Sequence, residues 1–332
     1  MKALLLVDES QDKIAIREIE KPNPASGEVL IQLKAAALNH RDQWCRIGLY
    51  PGIEYGTVLG SDGAGVVVAK GEGVDDYWLG KEVIINPNIN WGDNEAAQSV
   101  EYHILGMPSN GTFAEFVSVA ADRLMEKPSH LNFSEAAALP LGGLTAFRAI
   151  FTKAQIQEKQ KILVTGIGGG VAQFAFQFAV AAGAEVFVTS GSDNKLQTAR
   201  KHGVSGGFIY KDEFWVKTAF NETGGFDAII DSAGGSSMND YLKLIRPGGR
   251  LVHYGSTTGL PKSLDMFRLF WCQASIHGST MGSDSEFVKM TEFVNQKKIK
   301  PIIDSVRSFD DIVSAFDQMH EGRQMGKLVV TF

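Results

Sequence analysis

The sequence predicts an α/β protein in which a doubly wound parallel sheet is joined to a β-rich domain. Two observations carry this. From Lys161 onward, six short apolar runs alternate with helix-length amphipathic segments, the pattern of repeated βαβ units. Before residue 128, short apolar runs are instead separated by Gly and Pro turns. A chain of 332 residues with 44% hydrophobic content is long enough for two cores. In order, the first half offers strands at 3–7, 29–33, 64–68 and 81–85. Ser134 with Glu135 opens an Ala-rich helical stretch. The six parallel strands fall at 162–166, 185–190, 207–210, 226–233, 250–255 and 275–281. A helix at 285–296, an extended run at 300–306, a helix at 310–321 and a last strand at 327–332 complete the chain.

Composition narrows the function. The net charge of −6 comes from interspersed acids and bases, with no basic run to hold a phosphate backbone, so nucleic acid is not an expected partner. Cys45 and Cys272 are the only cysteines, too few for a disulfide framework or a thiolate-rich metal site, and a reducing, cytoplasmic setting is expected. No stretch reaches the roughly 18 apolar residues of a membrane span, and the first apolar run is followed at once by Asp8-Glu9, unlike a signal core.

The strand ending at Thr165 runs into Gly166-Ile167-Gly168-Gly169-Gly170-Val171-Ala172 and then a helix at 173–181. Glycines let backbone N–H groups approach a pyrophosphate, and the helix N-terminus adds partial positive charge. Ala172 stands where a third glycine is often found, an accepted alternative. The second strand ends in Thr189-Ser190-Gly191-Ser192, with Lys195 beyond. Hydroxyls and a cation suit the 2′-phosphate of NADP(H), where a carboxylate would suit NAD(H). Asp193 is read as the N-cap of a helix at 195–202, and Tyr210, ending the third strand, as a cover for adenine or a phosphate contact.

With these elements placed, the chain resembles the medium-chain dehydrogenase/reductase superfamily, in its quinone-oxidoreductase-like and zinc-type-alcohol-dehydrogenase-like branches. The resemblance runs the full length. It rests on Ala37-Leu38-Asn39-His40-Arg41-Asp42, Leu59-Gly60-Ser61-Asp62-Gly63-Ala64-Gly65, Gly111-Thr112-Phe113-Ala114-Glu115-Phe116, Ala136-Ala137-Ala138-Leu139-Pro140 with Thr145-Ala146, and the glycine turn. It implies a GroES-like catalytic domain from 1–128 and 284–332, a Rossmann NADP(H)-binding domain from 129–283, and a homodimer built on the sixth strand. It also places Thr145, Ala233, Gly234, Tyr254, Gly255 and Met281 around the cofactor.

Zinc members of the superfamily carry a cysteine, a His-Glu pair and a later cysteine or acid as ligands. The matching positions here hold Asn39 and Ser61-Asp62, poor zinc donors. The four-cysteine structural lobe is replaced by Asn88-Ile89-Asn90-Trp91-Gly92-Asp93-Asn94-Glu95, so no metal is expected. Without a Lewis acid, quinones and α,β-unsaturated carbonyls are easier substrates than plain alcohols, because conjugation spreads the incoming charge. The resemblance points to Asn39 and Tyr50 beside the nicotinamide. Tyr50 is the first candidate proton donor and His40 the second; His253 is read as a buried strand end. The reading is a zinc-independent NADPH-dependent reductase of a small carbonyl or quinone. The alternatives are a zinc-independent alcohol dehydrogenase or aldehyde reductase, and a non-catalytic NADPH-binding sensor.

Overall fold

The computed structural model describes residues 1–332 and divides them into two compact units, Met1–Gly142 with Ser283–Phe332, and Gly143–Gly282. The stretch 129–142 goes with the first unit. Its helix Phe133–Ala137 opens on Asn132 and not on Ser134: Asn132 accepts Glu135 N–H, and Glu135 accepts Asn132 N–H, both at 2.9 Å. This exchange needs a cap three residues before the acid, a spacing Ser134 does not have. Beyond the helix, Leu141 N–H donates to Asp62 Oδ1 at 2.8 Å.

In the second unit, six strands pair in the order Gly206–Ile209, Glu185–Ser190, Lys161–Val164, Phe226–Asp231, Ile245–His253, Ser275–Gly278, every neighbour parallel. Strand order reverses between Lys161–Val164 and Phe226–Asp231, and ligands of such sheets bind beyond the carboxyl ends of the strands at that point. The central strands carry buried apolar runs, at 162–164, 186–188 and 228–230, as strands covered on both faces do; Phe187, Phe208, Phe226, Ile229 and Leu251 share one buried cluster. The sixth strand ends at Gly278, short of the expected 281, where its pairing with Arg250–His253 runs out. Met281 lies past it, buried, with φ of 40°.

In the first unit, a seven-stranded sheet includes the neighbours Ile303–Ser308, Lys327–Thr331, Glu28–Ala37, Asp62–Lys70, Glu82–Ile85 and Leu124–Glu126 in that order, with Phe116–Ala120 also paired to Glu28–Ala37. Helix Ile312–His320 turns Ile312, Ala315, Phe316 and Met319 into a cluster with Leu4, Leu6, Phe113 and Leu328. Hydrogen bonds organise the segment that lacks the four cysteines. Trp91 is buried and donates to Asn94 O at 3.0 Å. Arg123 forks onto both oxygens of Asp284, at 2.7 and 2.9 Å, while Asn86 and Asn88 donate to Asp284 Oδ1. No helix is long and apolar enough to cross a membrane.

Candidate functional site

The glycine turn has the geometry its sequence implies. Gly166 has φ of 60°, a conformation glycine adopts without strain, and its N–H donates to Thr189 Oγ1 at 3.1 Å. Gly168 and Gly169 come next, and helix Gly170–Ala181 begins with Gly170 and Val171, earlier than the expected 173. Its first N–H groups have no acceptor within the helix, and such an end carries partial positive charge. At the end of Glu185–Ser190, Ser190 Oγ accepts Ser192 N–H at 3.1 Å. Asp193 is not the cap of the next helix: Ser192 is, and Asp193 is the first residue of Asp193–Lys201, its carboxylate accepting from Gln197 Nε2 at 2.6 Å. Lys195 lies in that first turn. A Cβ on Gly191 would come within 2.7 Å of the Tyr210 hydroxyl and 3.0 Å of Lys211 Cε. Tyr210 and Lys211 thus lie over the second strand's end, where a 2′-phosphate is recognised in this fold. Lys211 is a candidate that the sequence motifs do not single out, although it is the next residue after Tyr210.

Asp231, fully buried at the end of the fourth strand, is another residue that no motif marks. It accepts Thr165 Oγ1 at 2.5 Å and Gly234 N–H at 2.8 Å, and pairs with His253 Nδ1 at 3.1 Å. Burial alone would raise its pKa, but His253, Thr165 and the backbone N–H groups of Gly234 and Ala233 together hold it below the usual carboxylate value. His253 does end its strand, as expected, but it is only part-buried and pairs with Asp231, which corrects the reading of it as buried. Thr258 and Gly235 tie the loop after Tyr254-Gly255 to Ala233 and Gly259, through Thr258 N–H to Ala233 O at 3.0 Å and Gly235 N–H to Gly259 O at 2.9 Å. Thr145 Oγ1 donates to Met281 Sδ at 3.8 Å. These backbone-rich loops at the strand ends fit a dinucleotide.

In the first unit, three neighbouring strands bring together residues far apart in sequence. Ala37 pairs with both Val329 and Asp62, so Asn39, Asp62 and Lys327 converge. Lys327 Nζ donates to Asn39 Oδ1 at 2.6 Å and to Asp62 Oδ2 at 2.9 Å, and Asn39 Nδ2 donates to Asp62 Oδ2 at 3.0 Å. Asp62 is 0% and Lys327 2% exposed. The ammonium thus takes the oxygens of two of the residues matching zinc ligands. No three His, Cys, Asp or Glu side chains cluster as a metal site. An amide, a hydroxyl and an already neutralised carboxylate do not fit a zinc ion.

Beside this knot, Arg41 Nη1 donates to Ser61 Oγ at 2.7 Å and to Leu105 O at 3.0 Å, Nη2 to Met107 O at 3.3 Å, and Nε to the Tyr50 hydroxyl at 3.3 Å. The guanidinium also lies 4.6 Å from the Tyr50 ring centroid. Tyr102, packed edge-on against Trp91, has a buried hydroxyl with no hydrogen-bond partner, within the electrostatic reach of Tyr50 and Arg41. His40 reaches solvent, yet the protein around it and the neighbouring His320 hold its pKa below the ordinary value, so it is neutral near pH 7.

Asp42, on helix His40–Arg46, is fully buried and accepts Asn39 N–H at 2.8 Å. Burial raises its pKa to about 6, with Arg41, the Asn39 N–H and Lys327 opposing and Asp62 adding to the rise. Because the folded pKa lies above the unfolded value, Asp42 binds more protons folded than unfolded between about pH 4 and 6, and its contribution falls as pH rises. By pH 7 this amounts to roughly 3 kcal/mol. Urea unfolding from pH 4 to 7 is expected to show that loss in the native protein relative to Asp42→Asn; parallel pH curves for the two would refute it.

Together the two units define the class: a nicotinamide-dinucleotide-binding sheet and a β-rich domain carrying polar catalytic candidates. The alcohol dehydrogenase GroES-like domain family matches residues 25–129, and the zinc-binding dehydrogenase family matches residues 170–296. A zinc-type alcohol dehydrogenase-like protein, YogA of Leptosphaeria maculans, is 40% identical over 96% of this chain and 94% of its own. The acryloyl-coenzyme A reductase of Metallosphaera sedula is 27% identical over the full length of both. A crystal structure of an NAD-dependent alcohol dehydrogenase superposes with a TM-score of 0.95 at 34% identity, covering both chains completely. The chain belongs to the medium-chain dehydrogenase/reductase superfamily and is an oxidoreductase that uses a nicotinamide cofactor.

Proposed function

We propose that this protein is a zinc-independent, NADPH-dependent reductase of quinones or α,β-unsaturated carbonyls. The observation that carries this reading is Lys327, whose buried ammonium holds Asn39 and Asp62 where zinc members carry ligands. A bound nicotinamide supplies the hydride. The chain's own residues then answer the charge that develops on the acceptor oxygen. Tyr50 donates its hydroxyl hydrogen to that oxygen, and Asn39, its amide fixed by Asp62 and Lys327, presents a rigid polar wall. A conjugated acceptor suits such a site because it delocalises charge without a Lewis acid. The M. sedula relative is named for an acryloyl thioester, itself an activated alkene. Ser190, Gly191, Ser192, Lys195, Tyr210 and Lys211 support NADPH, offering hydroxyls and cations to a 2′-phosphate; the similar structure named NAD-dependent makes cofactor choice part of the test.

The test is to follow nicotinamide absorbance of chelator-treated protein with NADPH or NADH and 1,4-benzoquinone, an enone or a simple aldehyde. Turnover of quinone or enone with NADPH preferred supports the reading. Aldehyde turnover alone points to an alcohol dehydrogenase, and tight NADPH binding without turnover to a sensor.

The protein is further proposed to be a homodimer. The outer edge of Ser275–Gly278 is unpaired, and helix Met266–Trp271 exposes Phe267 at 66% and Trp271 at 71%, their rings stacked with centroids 6.0 Å apart. So much exposed aromatic surface beside an open edge is costly in a monomer. Light scattering is expected to give twice the chain mass, and Phe267→Glu with Trp271→Glu a single mass; a native monomer at micromolar concentration contradicts this.

A further inference from the structure

We infer that Arg41 is the positioning residue that fixes Tyr50 as a hydrogen-bond donor, with Ser61 as its anchor. The inference rests on the donor role proposed above for Tyr50. The Arg41 side chain is 8% exposed, so its charge is largely withdrawn from water and its N–H groups need protein acceptors. Ser61 Oγ and the carbonyls of Leu105 and Met107 take three of them and set the guanidinium plane. The remaining contact, Nε to the Tyr50 hydroxyl, then has a fixed direction. A phenol oxygen that accepts a hydrogen bond on one side must turn its own hydrogen elsewhere. Accepting from Arg41 therefore leaves the Tyr50 O–H aimed away from the guanidinium and available to an acceptor oxygen.

The same contact gives the phenol a neighbouring positive charge. As Tyr50 donates toward a developing oxyanion its oxygen gains electron density, and the guanidinium 3.3 Å behind it stabilises that change. Asp42 Oδ1, 3.8 Å from Arg41 Nη1, balances the charge without taking any N–H of the guanidinium. Lysine cannot substitute, since one ammonium cannot reproduce a planar fork spanning Ser61, two carbonyls and a phenol. Ser61 thus acquires a use of its own. At a position where zinc members carry a histidine ligand, its hydroxyl holds the cation that backs the proton donor.

A double-mutant cycle of Arg41→Met and Tyr50→Phe, with Ser61→Ala and Arg41→Lys alongside, tests this with NADPH and whichever quinone or enone the native protein reduces. Arg41→Met is expected to lower kcat about tenfold, equivalent to 1.36 kcal/mol, with KM little changed. Arg41→Lys is expected not to rescue it, and Ser61→Ala to fall between. Combined with Tyr50→Phe, Arg41→Met is expected to add nothing, because it acts through the absent hydroxyl. Fully multiplicative effects, or native turnover in Arg41→Met when Tyr50→Phe is slow, would overturn the inference while leaving the donor role intact. Native turnover in Tyr50→Phe removes the donor role itself. Native NADPH affinity and a single cooperative thermal transition serve as folding controls. If Arg41→Met does not fold, Ser61→Ala carries the same cycle with one acceptor removed.

Discussion

Replacing Lys327 with methionine is expected to cost about 3–5 kcal/mol of folding stability, as removing one partner of a buried ion pair generally does. The Asp62 carboxylate would lose its ammonium but keep bonds from Asn39 Nδ2 and Leu141 N–H, too few to replace the charge. Adding Asp62→Asn is expected to recover most of the loss, because the pair then becomes a neutral amide beside an apolar chain. Urea unfolding of the single and double variants measures both numbers. A Lys327→Met protein as stable as the native one would show that the ammonium is not the charge balancing this knot. Such a result would remove the physical support for the proposed zinc-independence.

Tyr50→Phe is expected to lower turnover of the quinone or enone by about a hundredfold, the lower end of what a positioned proton donor contributes. The ring keeps its cation–π contact with Arg41, so the loss isolates the hydroxyl and is expected in kcat with little change in KM. NADPH affinity is expected to stay native, because Ser190, Gly191, Tyr210 and Lys211 all lie on the other unit. Steady-state kinetics with equilibrium NADPH binding checks both. Equal turnover in the Phe variant would shift attention to His40, neutral near pH 7, or to Tyr102.

The parallel sheet is legible in the sequence because its signals are local. Each strand is a short apolar run, the glycine turn directly succeeds the first strand, and Ser190-Gly191-Ser192 ends the second. The missing zinc ligands are legible for the same reason, as substitutions within short motifs. The cation that bonds Asn39 and Asp62 at those positions is not. Lys327 opens a strand that otherwise reads as apolar, and its partners lie 265 and 288 residues away in sequence, joined only by strand pairing. Arg41 stands in plain view between His40 and Asp42, yet nothing local says that its guanidinium turns to Ser61 and Tyr50. Asp231 ends an apolar strand, where an acid is unremarkable until Thr165, Gly234 and His253 close on it. Asp193 reads as a cap because aspartate and serine share that chemistry, but Ser192 is the residue with extended backbone before the helix. Lys211 carries a local signal, a cation immediately after Tyr210 at the third strand's end.

The proposed reaction is hydride delivery to a conjugated acceptor without a metal. The most direct test uses protein shown by elemental analysis to carry no zinc, NADPH deuterated at the transferring position, and an enone, with mass spectrometry of the product. One deuterium at the β-carbon, at a rate unaffected by chelator or added zinc, is the expected result. Deuterium at the carbonyl carbon, or activity that rises in step with bound zinc, would refute metal-free conjugate reduction.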